Sequence, residues 1–374
     1  MDAQNPIQSQ PTTAKKPRIA LAKPASCTRK VDLNLDTGGW GVDFRTRDND
    51  HLSHLGLETS QDLAALFGRI DVVCMMGSPD RAQAFATKLE REYWQKNKGS
   101  NEGQFQTPAP FGKTERCMMF CVCGGRVLSL SHGMGNPSVM IFLHEVAKLL
   151  YHSFKPAFVV QQGKIDEEAL AERLGRVRVI RMGTSGGLGC EAGSVVLTER
   201  AVDAVFPNRT NTDSEDTNDG HGFLHVSLGV PKRYPSDSDL TLNVEMNDAW
   251  EAHREMIDDD DDDFPLLPGL TMGTEDYYEG QGRLDGALAS WYSEDDKLTY
   301  LKKAAAVGVR NIEMESLGFL AFWQRLGMRA TVICAALLDR LEGDQHEFRD
   351  GEIAKFSART QVVMCVYLRS LGIL

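Results

Sequence analysis

The sequence predicts an α/β fold, and three observations carry that expectation. From about residue 60 onward, β-rich runs alternate with helical patterns instead of segregating into separate blocks. The helical segments repeat their apolar residues at spacings of three and four, the pattern of a helix lying with one face on a sheet. The chain has 374 residues, 42% hydrophobic and 25% charged, an ordinary globular composition with length for one large domain or two modest ones.

Taken in order, residues 1–48 are expected to form a disordered tail. Lys15, Lys16, Arg18, Lys23, Arg29 and Lys30 face a single early acid, Asp2, and the Gln, Pro, Ala and Lys between them cannot bury a core. The tail lacks the apolar stretch of a secretory signal and has little of the amphipathic pattern of a transit peptide. Strands are predicted over 70–76, 118–122, 127–131, 177–182, 194–198, 309–312 and 329–335. Between them, 137–151 reads as a helix: Val139, Phe142, Leu143, Val146, Leu149 and Leu150 share one face, and Pro137 sits in the first turn. The same pattern predicts helices over 294–307, 316–326 and 355–371. A smaller helix is expected over 165–174, inside an extra segment, 154–176. Residues 207–239, dense in Asn, Asp, Ser, Thr, Gly and Pro, read as loop.

Charge and hydropathy exclude several classes. With 41 Lys plus Arg against 53 Asp plus Glu, the formal net charge is −12, which disfavours nucleic-acid binding. No apolar run approaches the roughly 18 residues that span a bilayer, so no membrane insertion is expected. Eight cysteines lie scattered, mostly in apolar stretches, as reduced thiols of a cytoplasmic protein do.

Some motifs have ordinary readings. Cys117, Cys121 and Cys123 lack the second ligand pair of a zinc site and are expected as buried strand residues, so no metal is predicted. His144-Glu145 starts a zinc-helix motif that fails at Lys148. Asn208-Arg209-Thr210 is a formal glycosylation sequon on a chain without a secretory signal. The acidic run 258–263 has no calcium-loop spacing and reads as a solvated loop.

Three stretches carry more chemistry. Gly77-Ser78-Pro79-Asp80-Arg81 follows a strand and opens a helix, so backbone N–H groups and a guanidinium fork can face an anion. Arg181-Met182-Gly183-Thr184-Ser185-Gly186-Gly187 follows another strand, where glycines and hydroxyls let backbone approach a phosphate. It has neither the nucleoside-triphosphate loop ending nor the dinucleotide spacing, so phosphate or a phosphate ester fits it better than ATP or NAD. The third stretch places Tyr277, Gln281 and Arg283 together, suiting a planar base with polar edges. Glu313-Met314-Glu315 follows downstream with carboxylates for ribose hydroxyls.

Together, and in this order, these stretches resemble the nucleoside phosphorylases of the uridine type, with animal members the most similar. The resemblance runs from about His54 to the C-terminal helix and is most specific over Tyr278-Glu279-Gly280-Gln281-Gly282-Arg283-Leu284-Asp285-Gly286-Ala287. It implies a single-domain α-β-α sandwich around a central mixed, twisted sheet, spanning 49–374 with loop insertions near 154–176 and 207–263. It implies reversible, phosphate-dependent cleavage of uridine to uracil and ribose 1-phosphate in cytoplasmic pyrimidine salvage. Inorganic phosphate would be co-substrate, without metal or organic cofactor, and the chain would form a homodimer or higher homo-oligomer. Phosphate would be held by Gly77, Arg81, Arg181 and Thr184 with Arg116 from a partner subunit. Uracil would be read by Gln281 and Arg283 beneath Tyr277. Ribose would be held by Met314 and Glu315 with Glu313 beside them, and by His54 from the partner. Arg81, Arg181, Gln281 and Arg283 would carry the catalysis. Two departures stand out: Tyr277 replaces the usual Phe, and Asp339 stands where Asn is expected. Rival readings are a nucleosidase using water and an inactive member that binds nucleosides or assembles with active subunits.

Overall fold

The protein is described by a computed structural model over residues 49–98, 104–112, 114, 117–208, 222–256, 263–345 and 349–374. The tail 1–48, Arg116, the last two sequon residues and 258–262 of the acidic run lie outside the described residues.

The first elements are a short antiparallel arm, β1 (His51–Leu52) and β2 (Leu57–Glu58), then α1 (Leu63–Phe67), β3 (Val72–Met76) and α2 (Pro79–Asn97). They continue with β4 (Met119–Val122), β5 (Val127–Ser131), α3 (Asn136–Phe154), α4 (Glu167–Gly175), β6 (Arg178–Gly187) and β7 (Val195–Asp203). A hairpin, β8 (Phe223–Ser227) and β9 (Val230–Tyr234), leads to α5 (Leu240–Arg254), β10 (Leu266–Gly273) and α6 (Glu294–Ala306). The chain closes with β11 (Val309–Glu313), α7 (Ser316–Arg325), β12 (Arg329–Asp339) and α8 (Glu352–Ser370).

Alternation along β3 shows how the layers arise. Val73 and Met75 point into one core and Val72, Cys74 and Met76 into the other, and all five residues are buried. The first core is covered by the apolar faces of α1, α3, α4 and α7, the second by those of α2, α5 and α8. The central sheet runs in the order β11-β10-β7-β12-β6-β3-β5-β4. It is mixed: β3, β5, β6 and β12 are mutually parallel, while β4 is antiparallel to β5 and β7 to β12. The result is the expected α-β-α sandwich.

Strand β6 continues past residue 182, where the sequence pattern ends it, through the glycine-rich stretch to Gly187. Its last residues bend over to pair with β11, Gly186 opposite Ile312 and Gly187 opposite Asn311. A Cβ on Gly186 would lie 2.8 Å from Cγ of Arg340, and one on Gly187 would lie 2.9 Å from the carbonyl oxygen of Leu338. These glycines therefore serve close packing of β6 against the end of β12.

The predicted strands and helices match observed ones to within a few residues; the sequence pattern does not anticipate β10 and α5, and three readings differ. Residues 207–239 are not all loop, because Phe223 and Tyr234 pair across the β8–β9 hairpin and are both buried. Its turn uses Leu228 and Gly229 at φ of 51° and 77°, so Leu stands where Asn or Gly would have signalled a hairpin. The segment 154–176 is not a mere loop insertion either: Leu170 and Leu174 of α4 enter the core. Of the three clustered cysteines only Cys121 lies inside β4; Cys117 precedes it, and Cys123, at φ 54°, opens the turn to β5.

Candidate active site

The C-terminal ends of the parallel strands converge on one cavity. β3 ends at Met76, and Gly77 leads into α2, whose N-cap is Ser78 and whose first residue is Pro79. The Ser78 hydroxyl accepts from both the backbone N–H and Nε of Arg81, each at 3.3 Å, which holds the guanidinium against the helix start. A Cβ on Gly77 would stand 3.0 Å from Nη2 of Arg81, so only glycine leaves that fork undisturbed. Burial, and then the charge of Arg181, lower the pKa of Arg81, as two cations facing one space should.

Arg181, on β6, is 3% exposed and lies between two buried carboxylates. Its Nη1 is 2.8 Å from Glu313 Oε2, and its Nη2 forms an ion pair with Glu315. Nη1 also reaches Cys334 Sγ at 3.3 Å. Glu313 ends β11 and accepts the backbone N–H groups of Glu315 and Ser316, both at 2.9 Å, at the start of α7. Glu315 accepts the N–H of Gly135 at 2.6 Å. Burial raises the Glu313 carboxyl above its ordinary range against the pull of Arg181. Burial would raise Glu315 too, but the charge of Arg181 and the Gly135 N–H hold it low. Next to this triad, His132 is fully buried with neither ring nitrogen bonded, and burial together with Arg181 pushes it down to about 3, so it is neutral.

The far end of the cavity is built around Arg283 and Gln281. Arg283 donates from Nε and Nη2 to the two oxygens of Asp285 at 2.8 and 2.6 Å, and its guanidinium lies 4.5 Å from the Tyr277 ring centre. The hydrogen bonds to Asp285 raise the Arg283 pKa and lower that of Asp285. Gln281 is 4% exposed. Arg340, from the end of β12, donates to its backbone oxygen at 2.9 Å and approaches its side-chain oxygen at 3.4 Å. Asp344 fixes Arg340 at 2.9 Å and is itself held by Lys297 at 2.8 Å. Asp339, the departure from Asn, accepts the N–H groups of Gly189 and Leu341 at 3.1 and 3.0 Å, a role that needs only an acceptor.

Gly77, Arg81, Arg181, Thr184, Tyr277, Gln281, Arg283, Glu313, Met314 and Glu315 thus line one cavity of about 170 Å³. His54 does not. It sits between β1 and β2, where Glu145 accepts its ring Nδ1–H at 2.6 Å and the backbone N–H groups of His54 and Leu55 at 3.0 and 2.9 Å. Arg116 lies outside the described residues. Sequence reasoning missed Met134 and Arg340, which also line the cavity. Both fall inside matched stretches, but nothing in their local pattern marks them as pocket residues.

The arrangement is that of an enzyme handling a small anion and a flat, polar-edged group side by side: a cationic, glycine-lined corner at one end, an amide and guanidinium at the other, and buried carboxylates between. The Phosphorylase superfamily profile matches residues 71–370, and the chain belongs to that family. Mouse uridine phosphorylase 2 is 39% identical over 323 residues, covering 86% of each chain. Human uridine phosphorylase 2 is 38% identical, covering 86% of this chain and 87% of that one. The structure of Schistosoma mansoni uridine phosphorylase in complex with thymine superposes with a TM-score of 0.69 at 30% identity, over 88% of this chain and 98% of that one. Among the described residues, no helix is long and apolar enough to cross a membrane.

Proposed function

We propose that the chain is a uridine phosphorylase, a pentosyltransferase that converts uridine and phosphate reversibly into uracil and ribose 1-phosphate in pyrimidine salvage. The observation that carries this reading is Arg181 held between Glu313 and Glu315 in the cavity that also contains the Arg81 turn and the Gln281–Arg283 pair. Gly77, Arg81, Arg181 and Thr184 receive the phosphate, and Glu315, Glu313 and Met314 face the ribose. Leaving uracil is an electron-rich anion and the sugar passes through an oxocarbenium-like state. Arg283 and Gln281 stabilise charge gathering on the uracil oxygens, while the arginines orient the attacking dianion. The pocket's Gln and Arg match the two polar edges of a pyrimidine. No metal or organic cofactor enters this scheme, so a chelator should leave activity unchanged.

A second copy of the chain supplies Arg116 and His54 in this proposal, making the working unit a homodimer or larger assembly. His54 supports it by standing on the β1–β2 arm with a side chain 43% exposed, away from its own cavity. The described cysteines are free, all buried except the half-buried Cys121, which fits a reducing cytoplasmic location.

The test is incubation of purified protein with uridine, with and without phosphate, following uracil release and ribose 1-phosphate. Release that requires phosphate supports the reading. Release without phosphate would identify a nucleosidase, and no release an inactive binder.

A further inference from the structure

We propose that the end of the sheet opposite the active site holds a second anion site, built for a ligand carrying several linked phosphates. Strands β5, β3, β6 and β12 lie side by side and parallel. Their C-terminal ends carry Gly77, His132 and Arg340 of the site described above. Their N-terminal ends are basic: Arg69 and Asp71 lead into β3, Arg126 into β5, Arg178 opens β6 and Arg329 opens β12. Arg173 and Arg176 join them from the end of α4. All six guanidiniums line one open cavity of about 610 Å³, walled on one side by Leu371 and Ile373. A five-residue strand is roughly 17 Å long, so this cavity and the active site are separate.

The carboxylates near these arginines do not account for them. Asp71 is shared by Arg126 at 2.7 Å and Arg173 at 3.4 Å. Glu245 is shared by Arg329 at 2.8 Å and Arg178 at 3.5 Å, and it also accepts the Tyr367 hydroxyl. Asp239 lies 3.6 Å from Arg329, and Arg176 pairs with Glu172 on the surface. Among the described residues, the Arg69 side chain has no ion pair or hydrogen bond. Arg173 also donates to the Ile70 carbonyl at 2.5 Å and Arg126 to that of Gly372 at 3.5 Å, yet the acids remain fewer than the guanidiniums. Here one carboxylate, that of Asp71, lines a cavity with six guanidiniums, on a chain whose net charge is −12. Such a concentration of forks raises the local anion concentration and offers bidentate contacts to several phosphoryl groups at once. A single orthophosphate would use two or three of them; a chain of three phosphates would engage more. Inorganic polyphosphate and a nucleoside triphosphate share this chemistry, the latter placing its base toward Leu371 and Ile373.

The experiment titrates the full chain carrying Arg81→Ala, which removes an active-site phosphate contact, with tripolyphosphate by calorimetry at 0.15 M salt. Retained binding at one equivalent per chain is expected. Adding Arg69→Ala and Arg176→Ala, which break no contact between strands, should weaken it at least tenfold. The same two substitutions in the otherwise unaltered protein should leave phosphorolysis unchanged. Adenosine triphosphate, whose purine does not match the uracil-reading pair, binding tighter than tripolyphosphate and losing that affinity with the added pair would identify a nucleotide site, and equal affinity a polyphosphate site. Absence of binding by the Arg81→Ala chain, no weakening by the added pair, or orthophosphate binding as tightly as tripolyphosphate would overturn the proposal. The binding outcomes do not depend on whether the chain cleaves uridine.

Discussion

Arg340 and Gln281 are joined by a hydrogen bond of 2.9 Å from the guanidinium to the backbone carbonyl, so the end of β12 sets the position of the loop after β10. Arg340 is 1% exposed and closes the cavity behind the amide proposed to read the base. Its own anchor, Asp344, is tied to Lys297 on α6. One chain of charged groups therefore links three elements to a single amide.

Replacing Arg340 with Ala should loosen Gln281 without removing it. A hydrogen bond to a charged group contributes about 1.5 to 3 kcal/mol, so kcat/KM for uridine should fall by roughly one to two decades. The loss should appear mainly against uridine, with KM for phosphate little changed. A larger rise in the phosphate KM would show that Arg340 serves the anion corner.

Arg81 and Arg181 should separate in stability. Arg81 is held by the Ser78 hydroxyl and, among the described residues, forms no ion pair, so Arg81→Ala should weaken phosphate use by one to two decades and leave the melting temperature near that of the parent. Arg181→Ala strands the buried Glu313 and Glu315 charges. Breaking a buried pair on one side costs about 3 to 5 kcal/mol, so this variant should also unfold at lower denaturant. Equal denaturation midpoints for the two variants would contradict the buried triad.

That contrast marks how far the sequence was legible. The anion turn at Gly77 to Arg81 announces itself through a strand, a glycine and a helix start, and the sheet announces itself through short β-rich apolar runs alternating with helical patterns. The partnership of Arg181 with Glu313 and Glu315 does not, because it joins β6 to residues more than a hundred positions away and only the folded sheet brings them together. Sequence alone suggests that Arg181→Ala should spare the fold; its burial says otherwise. β10 escaped notice because Pro268 and Gly269 sit inside it, residues that argue against a strand. The β8–β9 hairpin escaped because its turn begins with Leu228.

His132 predicts a pH dependence of stability. Its folded pKa, about 3, lies below the unfolded value near 6.5. Between those values the unfolded chain binds the proton and the folded chain does not, so stability falls as pH drops through that window. At about 1.4 kcal/mol per unit, roughly 2 kcal/mol should be lost between pH 7 and pH 5. Arg181, Arg81 and Glu315 face the imidazole in both conditions. In His132→Phe this part of the slope should vanish, which denaturant titrations at pH 7 and pH 5 would reveal; an unchanged slope would mean that the buried imidazole is not its source.

The last prediction concerns shared pockets. If Arg116 and His54 act in a neighbouring subunit, a two-fold arrangement makes the donation reciprocal, since the same patch is used in both directions. An Arg116→Ala subunit keeps its own Arg81 but fails its partner, whereas an Arg81→Ala subunit has a defective pocket and still donates Arg116. In a mixed dimer one pocket therefore combines both lesions and the other has none. With equal amounts and random exchange, half the dimers are mixed and one pocket of two in each is intact, so activity should recover to roughly a quarter of the unaltered enzyme. His54→Ala mixed with Arg81→Ala should behave in the same way, provided His54→Ala alone is strongly impaired. The hydrogen bonds from the His54 and Leu55 backbone to Glu145 do not depend on the imidazole, so this substitution should leave the β1–β2 arm in place. Recovery in both mixtures would assign both residues to the neighbouring pocket. A fully active monomer on sizing, or no recovery after subunit exchange has been verified by mass, would place the phosphate and ribose contacts within a single chain.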